Sequence, residues 1–236
     1  MAGEDESPAA DRPGPRPVVL GATVVVVLLV GAVLGMFLTQ LALRPDSSAT
    51  PAAGSVETGF AQDMSVHHLQ AVTMASWERD HTTDPELKQL AFDIESTQRE
   101  QVGRMKGWLM LWGQPEQAAG APMTWMTSDA GHGHMAMAPP TAAAGGSDGA
   151  VMPGMATNTE LARLRSLSGR DLDVYFLQLM LRHHQGGTEM AQYAHDHTTV
   201  AAVKALTQSI LTSQGAEMTQ MRTMLAARGA QPLPYP

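Results

Sequence analysis

An internal repeat constrains this chain more than any other feature. Shifting the sequence by 116 positions lays Phe60–Gly113 on Phe176–Gly229 without a gap, and about a third of the aligned positions are identical. Phe60 falls on Phe176, Met64 on Met180, and His67-His68 on His183-His184. Met74 falls on Met190, and Asp80-His81-Thr82-Thr83 on Asp196-His197-Thr198-Thr199. Ile94, Gln98, Met105 and Leu109 recur as Ile210, Gln214, Met221 and Leu225. One unit has been copied, and both copies must fold alike.

Each copy reads as two helices. The first runs to about His81 or His197. In the first copy a turn follows, with Asp84 as N-cap and Pro85 at the first helical position, where proline is tolerated. The second helix carries Leu87, Leu90, Ile94, Met105 and Leu109 in one copy, and Val203, Leu206, Ile210, Met221 and Leu225 in the other. Those spacings are helical, and a glycine, Gly113 or Gly229, ends each. No stretch alternates as a strand would. A single hairpin cannot bury its apolar face, so the two hairpins, 56–113 and 171–229, are predicted to pack as one all-α four-helix bundle.

Ahead of the repeats, residues 18–43 read VVLGATVVVVLLVGAVLGMFLTQLAL without a charge. About 20 apolar residues at 1.5 Å rise cross a bilayer core, so this run is expected to be one transmembrane helix. Arg12 and Arg16 precede it and only Arg44 follows closely. That bias puts the polar tail, 1–17, in the cytoplasm and the rest outside. The run is longer than a cleavable signal's apolar segment and no A-x-A site follows, which favours an uncleaved, single-pass anchor in the cell membrane. Residues 44–55 are a spacer, and 114–170 read as a flexible linker rich in Met and His between the hairpins.

On a helical wheel, Phe60, Met64, His67, His68, Ala71, Met74, Ala75, Glu78 and His81 share an arc of about 140°. The apolar members turn this arc toward the bundle, so the histidines face inward. Phe176, Met180, His183, His184, Gly187, Met190 and His197 repeat the pattern. Small Ala71 and Gly187 leave room for a close helix contact or for an ion. Met105, Met110, Met221 and Met224 read as core filling, and His195, unmatched in the other copy, as surface. His81 and His197 sit at helix ends, where an imidazole either caps carbonyls or binds an ion.

Composition narrows the chemistry. The sequence has no cysteine, which excludes disulfides, thiolate zinc sites and a thiol nucleophile. Its formal net charge of -8 argues against a nucleic-acid partner held by phosphate neutralisation. It has 17 methionines, and the linker alone holds Met123, Met126, His132, His134, Met135, Met137, Met152 and Met155. That stretch is too rich in Gly, Ala and Pro to pack a core, so its methionines call for another reason. Thioether sulfur suits Cu(I), and imidazole accepts Cu(I) or Cu(II). The expected ligands are Met64, His67, His68, Met74, His81, Met180, His183, His184, Met190 and His197 in the bundle, with His132, His134, Met135 and Met137 as a looser set.

Gln62-Asp63-Met64-Ser65-Val66-His67-His68-Leu69-Gln70-Ala71 and Leu179-Met180-Leu181-Arg182-His183-His184-Gln185-Gly186-Gly187 resemble the signature of the DUF305 family. The resemblance covers about residues 56–229. It implies a ferritin-like bundle and, by association with some members, copper binding outside the cytoplasm. The pattern Gln-x-x-Glu-x-x-x-Met is kept as Gln214, Glu217 and Met221, whereas Gln101 replaces the acid in the first copy. A ferritin-like fold also raises a di-metal oxidase, built from two Glu-x-x-His motifs. Glu78-Arg79-Asp80-His81 matches one, but Ala194 takes the acid's place in the other copy.

The leading expectation is therefore a membrane-anchored extracytoplasmic protein that sequesters copper or passes it to a partner, with no established catalysis. The alternatives are a metal-independent helical interaction module, a cuprous oxidase and a di-metal oxidase.

Overall fold

The computed structural model describes residues 16–42, 50–126 and 149–235, with side chains of the first helix described over 21–40. The chain divides into two compact units, Met1–Ala49 and Thr50–Pro236. In the first, α1 (Arg16–Ala42) contains the 20-residue apolar span Gly21–Gln40, with a mean hydropathy of 2.6 over an 18-residue window. It is long and apolar enough to cross a membrane.

The second unit is all-helical among the described residues. Its four long helices are α2 (Val56–His81), α3 (Pro85–Leu111), α5 (Gly169–His197) and α6 (Ala201–Ala227), and a short α4 (Asn158–Ser166) precedes α5. Local chemistry sets the boundaries. Ser55 accepts a bond from the Thr58 amide at 3.3 Å to start α2. Asp84 accepts from the amides of Glu86 and Leu87, at 2.9 and 3.2 Å, and Pro85 follows it to start α3. Such a cap contributes about 1 kcal/mol. Thr157 and Glu160 form a capping box at α4.

The hairpins α2–α3 and α5–α6 meet mainly along α2 and α5. The core divides in two. One cluster holds Met74, Ile94, Phe176, Met180 and Leu225; the other holds Phe60, Met64, Leu109, Met190 and Ile210. Matched residues of the two repeats thus go to opposite clusters, as they must when the repeats pack antiparallel about a local twofold. Two further contacts carry the same symmetry. Thr82 donates to Asp173 at 2.8 Å, and Thr198, its counterpart, donates to Glu57 at 2.7 Å.

Two expectations are corrected here. The stretch 114–170 is not a loose linker at its ends, because they fold onto the bundle. Trp125, Met152 and Met155 are buried in the second cluster, with Met123 and Met126 packed against it, so core filling does explain these methionines. The Asp63 carboxylate anchors this segment by accepting from the Met123 amide at 2.7 Å and the Trp125 indole at 2.8 Å. Met110 is not core either. It is 76% exposed, one step of about 100° round α3 from buried Leu109, while Met105, Met221 and Met224 are buried as expected.

Candidate metal centre

The middle of the bundle, between the two apolar clusters, is polar. His67, His68, His183 and His184 have no exposed surface, and Gln98, Gln101 and Gln214 are buried with them. The His67 and His183 rings, one from each repeat, lie with centroids 3.8 Å apart at 37°. His183 and His184 are 6.4 Å apart by the same measure.

Three of the four rings are pinned through Nε2. His67 Nε2 lies 3.2 Å from the Pro153 carbonyl oxygen. His68 Nε2 lies 2.7 Å from Gln101 Oε1, and His184 Nε2 lies 2.6 Å from Glu217 Oε2. Gln101 and Glu217 are repeat equivalents, so the two outer histidines are held alike, one by an amide and one by a carboxylate. His183 makes no hydrogen bond of good geometry from either nitrogen, and the Nδ1 atoms of His67, His68 and His184 make none. Both polar atoms of Gln98 and of Gln214 are also unpartnered. Each such buried group costs about 1–3 kcal/mol, so the layer is destabilising as it stands.

Burial, first of all, lowers the basicity of these rings. It takes His67 to about 4, against the partial support of the Pro153 carbonyl, and takes His68 to about 3 with the neighbouring imidazoles adding to the effect. His183 lies well below its usual value, from burial and then from the surrounding imidazoles. At neutral pH these three rings are uncharged, the state in which imidazole binds a metal.

A loop segment roofs the layer. Gln70 binds Ala156 twice, donating to its carbonyl at 2.9 Å and accepting from its amide at 2.7 Å. Gly154, at φ +76°, has no room for a side chain, since a Cβ there would stand 2.5 Å from the Arg182 carbonyl oxygen. A Cβ on Gly186 would run into the Pro153 carbonyl. Gly187 serves the opposite side. A Cβ there would stand 2.9 Å from Gln214 Oε1 and 3.2 Å from His67 Cε1, so this glycine makes a close helix contact.

Of the expected ligands, the structure brings His67, His68, His183 and His184 into one layer. Met64 and Met190 lie in the cluster on one side, Met74 and Met180 in the cluster on the other, all fully or almost fully buried. His81 and His197 are not part of the site. Each is exposed, binds the carbonyl four residues back (Trp77 at 2.7 Å, Tyr193 at 2.8 Å) and stacks on that residue's ring. They are helix caps. Glu78 and His81 accordingly do not form a di-metal motif, because Glu78 is buried and His81 faces solvent. His132, His134, Met135 and Met137 lie outside the described residues. Sequence reading missed the roof at Pro153; the paired Gly186-Gly187 within a helix was the available sign of a close backbone approach.

Among the described residues, no three His, Cys, Asp or Glu side chains converge into a group able to hold an ion. The donors that do gather are imidazole nitrogens without a partner, and Met64, Met74, Met180 and Met190 lie in the apolar clusters on either side. That set fits a soft ion of low coordination number and does not fit Mg, Ca or a carboxylate-bridged metal pair.

Comparison with known proteins covers the span that contains these residues. Residues 57–225 match a family described as a domain of unknown function, DUF305. A DUF305 protein of Streptomyces coelicolor, regarded as secreted, is 41% identical, with a TM-score of 0.67 over 78% of this chain and 100% of its own. A DUF305 fragment from Deinococcus radiodurans is 30% identical, with a TM-score of 0.57 over 75% and 99%. CopM, solved in a Cu(II)-bound form, is 27% identical, with a TM-score of 0.53 over 72% and 96%. The curated proteins contain no match.

Proposed function

The chain belongs to the DUF305 family, and on that footing we propose that its bundle binds copper outside the cytoplasmic membrane, to sequester the ion or hand it on. The observation that carries the reading is the buried layer of neutral imidazoles with unpartnered nitrogens. A polar core kept for packing alone would pair its polar atoms, since each orphan is destabilising. Here an ion supplies the missing partner. His67, His68, His183 and His184 would offer it nitrogens across the α2–α5 seam, with Met64, Met74, Met180 and Met190 offering thioethers from the clusters on either side. Cu(I) is the preferred ion because thioether selects it. The likeness to CopM supports copper as the metal.

The helix α1 supports a membrane anchor, with the bundle on the outer side. The same test separates this reading from a metal-independent bundle, which the absence of a three-carboxylate or three-histidine group among the described residues would favour. Cu(I) is titrated into the chain against a competing chelator. Sub-micromolar binding that is lost when His67, His68, His183 and His184 become Ala supports copper binding. Binding no tighter than that of a generic His-rich peptide overturns it.

A further inference from the structure

The four buried imidazoles do not offer their nitrogens equally. The Pro153 carbonyl and the Glu217 carboxylate can only accept a hydrogen bond, so the ring nitrogen facing each must carry the proton. That nitrogen is Nε2 in both His67 and His184. Gln101, at the position matching Glu217, presents Oε1 to His68, the orientation of its amide that accepts from a protonated Nε2. In a neutral ring a proton on Nε2 leaves the lone pair on Nδ1, and Nδ1 is the atom left without a partner in each of the three.

We propose that the Pro153 carbonyl, Gln101 and Glu217 are positioning groups that hold a proton on Nε2 of His67, His68 and His184, so that Nδ1 is the nitrogen each can give to a metal. The proposal rests on the copper reading for its ligand, a soft monovalent ion, but the tautomers are a property of the metal-free protein. An acceptor behind a ligating imidazole fixes its orientation and raises its basicity, and loss of such a partner costs about 10–100-fold in metal affinity. The two repeats differ in strength. Glu217 is a carboxylate where Gln101 is an amide, so His184 is the stronger donor of the outer pair. The third positioning group comes from the roof, which ties the geometry of His67 to the seating of Pro153 against Gly186.

The test is nitrogen NMR of the imidazoles, on the full-length chain in detergent, labelled at histidine and free of metal. His67, His68 and His184 are expected to show a protonated Nε2 and a bare Nδ1. On adding Cu(I), Nδ1 is expected to shift while Nε2 keeps its proton. Glu217→Leu releases His184 into a mixture of tautomers and weakens Cu(I) binding about 10–100-fold. Glu217→Gln restores the tautomer, since Gln101 already does this work in the other repeat. A proton on Nδ1 of His67 or His184 in the metal-free protein overturns the proposal, as does an unchanged His184 tautomer in Glu217→Leu. Correct tautomers without Cu(I) binding would instead defeat the copper reading alone.

Discussion

His67 and His183 face each other across the seam between the two repeats, their rings 3.8 Å apart, buried and uncharged at neutral pH. Their surroundings define a layer whose polar atoms the fold leaves unsatisfied. Apolar replacement of such atoms should therefore stabilise the protein and impair its ligand site. Gln98→Met and Gln214→Met, of similar volume, are each expected to raise stability by about 1–3 kcal/mol in urea unfolding. A loss of stability would show that the amides have partners in solution.

Glycine substitutions separate the roof from the rest of the helices. Gly186→Ala places a methyl against the Pro153 carbonyl, whereas Gly215→Ala, inside α6, meets nothing within 4 Å. The first is expected to lower the melting temperature and detach the roof, read as faster amide exchange around Ala156. The second is expected to add up to about 1 kcal/mol, the ordinary gain of Ala over Gly in a helix. Equal effects of the two would contradict the roof's close seating.

Stability should fall on both sides of neutrality, for different residues. Glu78 is fully buried in the structure, and burial, with the Asp173 carboxylate adding to it, pushes its carboxyl up to about 9. Its folded value is raised, so its contribution is complete below about 4.5 and is lost as pH rises through about 9. Across that window the slope approaches about 1.4 kcal/mol per pH unit for one proton. His67 and His68 have lowered folded values, so their contribution is present above about 6.5 and is lost as pH falls toward about 4 and about 3. Glu78→Gln should flatten the alkaline limb and, by removing an opposing slope, steepen the acid limb above about pH 4.5, as measured by urea unfolding between pH 4 and 10.

Much of this arrangement was legible in the sequence because the repeat is gapless. The twin hairpins, the caps at Asp84 and Gly113, and the inward turn of His67-His68 and His183-His184 all follow from spacing. What escaped was set by tertiary contact. Trp125 and Met152 sit in Gly- and Pro-rich stretches with no periodicity to mark them, yet Asp63 and the Gly186 surface capture the segment. His81 and His197 fall on the right helical arc, but each lies at a helix end beside an aromatic ring and a free carbonyl, and local capping prevails. Met110 shows the same limit, since a methionine beside a core position reads as core until the helix is rotated into place.

The copper reading stands most directly on the local structure around the bound ion. X-ray absorption at the copper edge, on the chain loaded with one equivalent of Cu(I), reports the nearest atoms. Imidazole nitrogen together with thioether sulfur is expected, with both signals lost when His67 and His183 become Ala. Oxygen ligands alone, or a spectrum unchanged by those two substitutions, would contradict it.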